Sequence, residues 1–375
     1  MRYYLIAGEA SGDLHASNLM AALRKLDQET VFRCWGGDLM QAQGGYLVKH
    51  YRDLAFMGFL EVVAHLPTIL GNLKICKTDL LSFCPDVLIL IDYPGFNLRM
   101  AEFAHNRNIR VFYYISPQIW AWRSSRVHKI TKSVEKMFVI LPFERQFYLK
   151  YNYHVDYEGH PLMDVIFEGM KIRSRSDFFK ENTLSEKPII ALLPGSRQME
   201  ILKMLRLMLR CVRHYPSHQF VIAGAPSIPV DFYRNIVGTD TIKIVTGQTY
   251  DLLSYAEAAL VTSGTATLET ALIGTPQVVC YKGNYLSYLI AKRLVHVTHI
   301  SLVNLIYGGT LIPELIQTEC NPENIARNLD KILDQGADRE RIISGYQEIK
   351  KDLGGTGTSG RVAKKMVQYL STKNS

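Results

Sequence analysis

Short runs of apolar and β-branched residues alternate along this chain with stretches of amphipathic, helical spacing, and the alternation runs through twice. Tyr3 to Ala7 is followed by Ser17 to Leu26, Val87 to Ile91 by Leu98 to Asn106, and Val111 to Ile115 by a basic stretch of helical character. Such a rhythm specifies a parallel sheet flanked by helices, because each buried strand needs a crossover helix to reach the next. It lapses from about Glu168 to Lys187 into a polar, charged segment, then restarts at Pro188 to Leu193 and continues through Phe220 to Ala223, Ile242 to Val245, Ala259 to Thr262 and Gln277 to Tyr281. The expectation is an α/β protein of two doubly wound, Rossmann-like domains facing a central cleft, one over residues 1–168 and one over 188–350. A length of 375 residues suits two such domains. Gly354, Gly355, Gly357 and Gly360 then precede a last helix, Arg361 to Leu370. The segment 356–375 is expected to pack back on the first domain or on a partner subunit, which would make the protein a homodimer.

Composition narrows the function classes. Met1 to Ala7 is followed too soon by Glu9 and Asp13 for a signal peptide and reads as a first strand. No window reaches the roughly 20 apolar residues of a membrane-spanning helix. Cys34, Cys76, Cys84, Cys211, Cys280 and Cys320 are scattered, with no Cys-x-x-Cys pair, and read as reduced thiols of a cytoplasmic protein. The net charge of +8 is uneven: residues 1–170 carry 18 Lys and Arg against 17 Asp and Glu, and the remainder 25 against 18. A basic surplus suits a nucleotide diphosphate, acidic lipid headgroups or nucleic acid alike. No nucleic-acid-binding motif accompanies it.

In doubly wound sheets ligands bind beyond the carboxyl ends of the strands, so the loops there carry the chemistry. The first, Gly8-Glu9-Ala10-Ser11-Gly12-Asp13, is neither a dinucleotide fingerprint nor a P-loop. It reads as a capped turn or as a substrate loop with Glu9 and Ser11 for sugar hydroxyls. The second, Asp92-Tyr93-Pro94-Gly95-Phe96-Asn97, sets a carboxylate directly after a buried strand, where desolvation raises its pKa toward that of a general base. Asp92 is the candidate base, although an Asp here can also cap the next helix; Asn97 is better placed for that cap. The third holds Trp120, Trp122 and Arg123, followed by Arg126, Lys129, Lys132 and Lys136. Either this is a solvated basic face or it receives an amphipathic anionic lipid. Leu54 to Val63 adds an acyl groove, a membrane-touching helix or plain core.

Two loops of the second half suit phosphate. Gly195, Ser196 and Arg197 follow Pro188 to Leu193 and open a helix, whose N-terminus presents unpaired N–H groups and partial positive charge. Ser263, Gly264, Thr265, Thr267 and Glu269 follow Ala259 to Thr262 in the same manner, with Glu269 placed for a ribose. No Asp-x-Asp triplet is present to hold a divalent ion at a diphosphate. Neither a metal nor any other cofactor is expected.

These same segments, with Leu141-Pro142-Phe143-Glu144, Gly159-His160-Pro161 and Ser301-Leu302-Val303-Asn304, resemble the lipid-A-disaccharide synthases in order over nearly the whole chain. The resemblance implies the GT-B fold and an inverting hexosyl transfer. In it, 2,3-diacylglucosamine passes from UDP to 2,3-diacylglucosamine 1-phosphate (lipid X), at the inner face of the bacterial inner membrane. It implies Asp92 as base, Glu9 and Ser11 as further catalytic positions, and Arg197, Glu269 and Asn304 in the donor site. One departure is Gly95, where relatives often carry an acid. Other GT-B enzymes, such as a UDP-GlcNAc 2-epimerase or a polyprenyl-linked GlcNAc transferase, share the second-half turns; a non-catalytic protein binding anionic membranes is the rival from another class.

Overall fold

The computed structural model describes residues 1–54, 66–122, 126–169, 172–238, 241–283 and 298–372. The chain divides into two compact units, Met1–Asp164 with Gly354–Ser375, and Val165–Leu353.

Among the described residues the first unit is built on seven parallel strands: β1 Arg2–Ala7, β2 Val31–Gly36, β3 Tyr46–His50, β4 Val87–Ile91, β5 Val111–Tyr114, β6 Lys136–Val139 and β7 Asp156–Tyr157. Their order is β3-β2-β1-β4-β5-β6-β7, so the direction of winding reverses between β1 and β4. All five residues of β4 are buried, as its uninterrupted Val-Leu-Ile-Leu-Ile requires of a central strand covered on both faces. Alternate residues feed two cores. Leu88 and Leu90 join Tyr4, Ile6 and Tyr113 under helices Leu66–Phe83 and Pro94–His105. Val87, Ile89 and Ile91 join Tyr3, Leu5 and Tyr114 under helix Ala10–Leu26. Truncating one such side chain, Leu90→Ala for instance, costs about 2–5 kcal/mol.

The second core has a further cover from the far end of the sequence. Helix Thr358–Ser371 lays Val362, Ala363 and Met366 against it, beside helix Ala10–Leu26. Its first turn is anchored by the buried Asp164 carboxylate, which accepts the N–H groups of Thr358 (2.9 Å) and Ser359 (2.8 Å), where the helix dipole favours an anion. Lys365 adds ion pairs to Asp156 and Glu158.

The second unit holds β8 Ile189–Leu193, β9 Gln219–Gly224, β10 Lys243–Thr246, β11 Ala256–Thr262, β12 Gln277–Tyr281 and β13 Glu314–Ile316, in the order β10-β9-β8-β11-β12-β13. Here the winding reverses between β8 and β11. The polar segment before β8 contains helix Arg175–Glu181, which inserts Phe178 and Phe179 beneath Ile189, Ala191 and Val261. Two adjacent phenylalanines in a charged stretch were the sign that this segment belongs to the core of the second unit.

Candidate functional site

Both reversal points place their loops side by side at the carboxyl edge of a sheet. In the first unit the helix after β1 begins at Ala10, earlier than the sequence pattern implies, so Ser11, Gly12 and Asp13 form its first turn. Glu9 is its half-buried N-cap residue and Ser11 is exposed. Asp13 points away from the loop: buried, it accepts the N–H groups of Gly37 (2.8 Å), Leu39 (3.1 Å) and Met40 (3.1 Å) and so caps the short helix Asp38–Ala42.

Asp92 and Tyr93 are both left-handed, with φ of 44° and 49°. Each such non-glycine residue costs about 1–2 kcal/mol, so the surroundings must impose the conformation. Asn97 imposes it from beneath. Its Nδ2 donates to the carbonyls of Asp92 (2.7 Å) and Ile91 (3.2 Å), and Tyr113 Oη donates to the same Asp92 carbonyl at 2.5 Å. Asn97 is therefore not the cap that its position suggested; Tyr93 is the N-cap residue and Pro94 opens the helix. The Tyr93 ring lies on Gly8, where any Cβ would stand 2.3 Å from a ring carbon. Burial, and after it the Glu9 carboxylate, push the Asp92 carboxyl up to about 6, with the Tyr93 N–H pulling the other way. At neutral pH it is an ionised base that still binds a proton well.

Trp120 ties loops together. Its Nε1 donates to Glu144 Oε1 at 3.2 Å, and its ring stands edge-on to Phe143 at 4.9 Å. The buried Glu144 also accepts the Ile140 and Leu141 N–H groups, and burial pushes it up to about 7. Arg123, the Trp122 side chain and Ala55 to Val63 lie outside the described residues. The basic run is broken up: Lys129 and Lys132 are exposed on helix Val127–Ser133, while Lys136 is in β6 and stacks on Tyr369.

In the second unit the loops after β8 and β11 line a cavity of about 280 Å³. Gly195, Ser196, Ser263, Gly264, Thr265 and Glu269 contribute to it. Glu269 accepts a 2.6 Å hydrogen bond from Tyr250 Oη, and its carboxyl is raised by burial against the opposing effect of that bond. Arg197 is exposed at the N-cap of helix Gln198–Leu209 and is not among the lining residues. Two other expectations change. Thr267 faces inward, fully buried, with its hydroxyl on the Gly264 carbonyl. Asn304 is fully buried and saturated: Nδ2 donates to Ile312 O and Glu314 Oε1, and Oδ1 accepts from Leu311 and Ile312, all at 2.9–3.0 Å. It braces the loop at Ser301, next to which the Ile300 carbonyl accepts from Ser263. Neither residue reaches the cavity.

Sequence reasoning gave Asn97 and Glu144 no such roles, and it missed Tyr113, Tyr250, Thr262 and Glu200. The last had a signal, since a Glu three residues into a helix commonly reaches back to cap it.

Among the described residues no cluster of three or more His, Cys, Asp or Glu is arranged to hold a metal ion, and no helix is long and apolar enough to cross a membrane.

Two units of this topology, each with its loops at a winding reversal, define the GT-B fold. A UDP-GlcNAc 2-epimerase from Neisseria meningitidis, solved bound to UDP-GlcNAc, matches with a TM-score of 0.66 over all of both chains at 13% identity. CalG4, the calicheamicin glycosyltransferase, matches with a TM-score of 0.63 over all of both chains at 16% identity. Within that fold the chain is a hexosyltransferase: it belongs to the lipid-A-disaccharide synthetase family, whose model matches residues 3–359. A lipid-A-disaccharide synthase from Syntrophus aciditrophicus is 41% identical, over 96% of this chain and 95% of that protein. One from Geobacter metallireducens is 37% identical, over 99% and 98%. The family implies a UDP-sugar and lipid X as substrates.

Proposed function

We propose that the protein transfers 2,3-diacylglucosamine from UDP to the 6-hydroxyl of 2,3-diacylglucosamine 1-phosphate, with inversion, giving the β-1,6-linked disaccharide 1-phosphate and UDP. Asp92 carries this reading: a carboxylate held by a clamp on its own backbone, next to Glu9, and raised to about 6. It takes the proton of the acceptor hydroxyl as that oxygen bonds to the anomeric carbon, whose bond to the diphosphate breaks with its electron pair leaving on UDP. Burial, with Glu9 beside it, keeps the Asp92 carboxyl basic, and Ser11 lies exposed on the same edge for a sugar hydroxyl. The second unit takes the nucleotide. The turns at Gly195–Ser196 and Ser263–Thr265 meet the leaving charge with N–H and hydroxyl donors, Arg197 adds a cation at the rim, and Glu269 receives the ribose. Trp120, Trp122 and Arg123 contact the lipid acceptor. The protein works in the cytoplasm, peripherally on the anionic inner face of the inner membrane, as its basic surplus suits, and as a homodimer.

The test is UDP release from the diacylglucosamine nucleotide, with and without lipid X and with and without EDTA. Release that needs both lipids and is indifferent to EDTA is expected. Release without acceptor would make the protein a hydrolase or epimerase, and loss with EDTA would require a metal at the diphosphate.

A further inference from the structure

The turn after β8 already holds an anion, and the anion belongs to the chain. Glu200, in the first turn of helix Gln198–Leu209, folds back so that Oε2 accepts the Ser196 N–H at 3.2 Å. A Cβ on Gly195 would stand 2.2 Å from that oxygen and 2.6 Å from the carboxyl carbon. The carboxylate therefore lies directly over the α-carbon of Gly195, whose φ of 114° is itself a glycine conformation. The glycine makes room for an internal carboxylate as much as for any ligand. Glu200 lines the same cavity as Ser196 and Thr265, and so does Thr262, whose hydroxyl is buried without a hydrogen-bond partner.

We propose that Glu200 is a displaceable internal anion at the diphosphate turn. It holds the Ser196 N–H while the cavity is empty, swings aside when the nucleotide's diphosphate enters, and returns to compete with UDP and hasten its release. This rests on the reading that the Gly195–Arg197 turn takes the diphosphate. Two anions at one N–H donor repel each other, and a partly enclosed pocket screens that repulsion less than bulk water does. A simpler role for Glu200 is a helix cap, and it sits at the third helical position that such caps use. The two roles separate by charge, because Gln retains the size and the accepting oxygen of Glu and loses only the charge.

The experiment compares UDP and uridine binding by calorimetry in the wild type, Glu200→Gln and Arg197→Ala, together with the unfolding temperature of each without ligand. Glu200→Gln is expected to bind UDP five- to tenfold more tightly, to bind uridine as the wild type does, and to show UDP product inhibition strengthened by the same factor. UDP affinity unchanged or weakened in Glu200→Gln, while Arg197→Ala binds UDP more weakly, overturns the internal anion and leaves the diphosphate reading standing. Equal tightening for uridine also overturns it, since the effect would then not come from phosphate. UDP affinity unchanged in both variants removes the diphosphate from this turn altogether. Should Glu200→Gln fail to fold, Glu200→Ala carries the same comparison, with the same tightening expected.

Discussion

Where the first sheet reverses, between β1 and β4, the chain bends through two left-handed non-glycine residues and half-buries one carboxylate beside another. Where the second reverses, between β8 and β11, it bends through Gly195 and lines a cavity with small residues, hydroxyls and backbone N–H groups. The first arrangement stores strain and unfavourable charge, and needs Asn97 and Tyr113 to hold it. The second asks little of its surroundings, and on the proposed reading it receives charge brought by a ligand. Proton transfer requires a group that is uncomfortable as it stands, whereas binding a diphosphate requires donors that are merely available.

That division of labour breaks most visibly at Asp92. Asp92→Asn is expected to lower transfer by about three orders of magnitude, within the range that a general base supplies, while the calorimetric Kd for UDP stays within about twofold. A parallel loss of UDP affinity would mean that the two regions do not act separately. The same substitution measures the stored charge. The folded Asp92 carboxyl titrates at about 6 against an ordinary 3.8, so the native state binds its proton more tightly and loses stability as pH rises through that window. Asp92→Asn should therefore be more stable than the wild type at pH 8, on the order of 2–3 kcal/mol, with the advantage fading to nothing near pH 4. Denaturant titrations at the two pH values check this; equal stability throughout would show that the carboxylate is fully solvated. In the second region the expected effect is smaller. Arg197→Ala should weaken UDP binding by about tenfold and leave turnover at saturating donor largely intact, because it removes one exposed cation from a site whose other donors remain. A large loss of turnover at unchanged UDP affinity would move Arg197 to the reacting centre.

The central strands were legible because burial on both faces leaves no alternative for Val87–Ile91 or Ile189–Leu193. The loops beyond them were legible because a doubly wound sheet offers ligands only one edge at its reversal. What holds those loops was hidden. Tyr113 reaches the Asp92 carbonyl across 21 residues, and Tyr250 meets Glu269 across 19, and neither spacing follows a helix or strand period. Asn304 shows the converse. A polar residue named by family resemblance is consumed internally by Glu314 and the Leu311–Ile312 backbone, and only its hydrogen-bond partners reveal it. Trp120 likewise has an internal partner that no spacing announces, its indole N–H on Glu144. The helix that carries Phe178 and Phe179 was passed over because charged neighbours masked a two-residue apolar signal.

Helix Thr358–Ser371 closes a core whose strands all lie before residue 158, so the second unit is, topologically, a guest inserted into a host. On the ribosome this inverts the usual order. The guest's strands and helices leave the exit tunnel as one continuous stretch and can pack at once, while the host waits with Phe112 and Phe138 lacking their contact with Tyr369 until helix Thr358–Ser371 emerges. The unit that is translated first is the one that is finished last, and during that interval part of its apolar core lacks its cover.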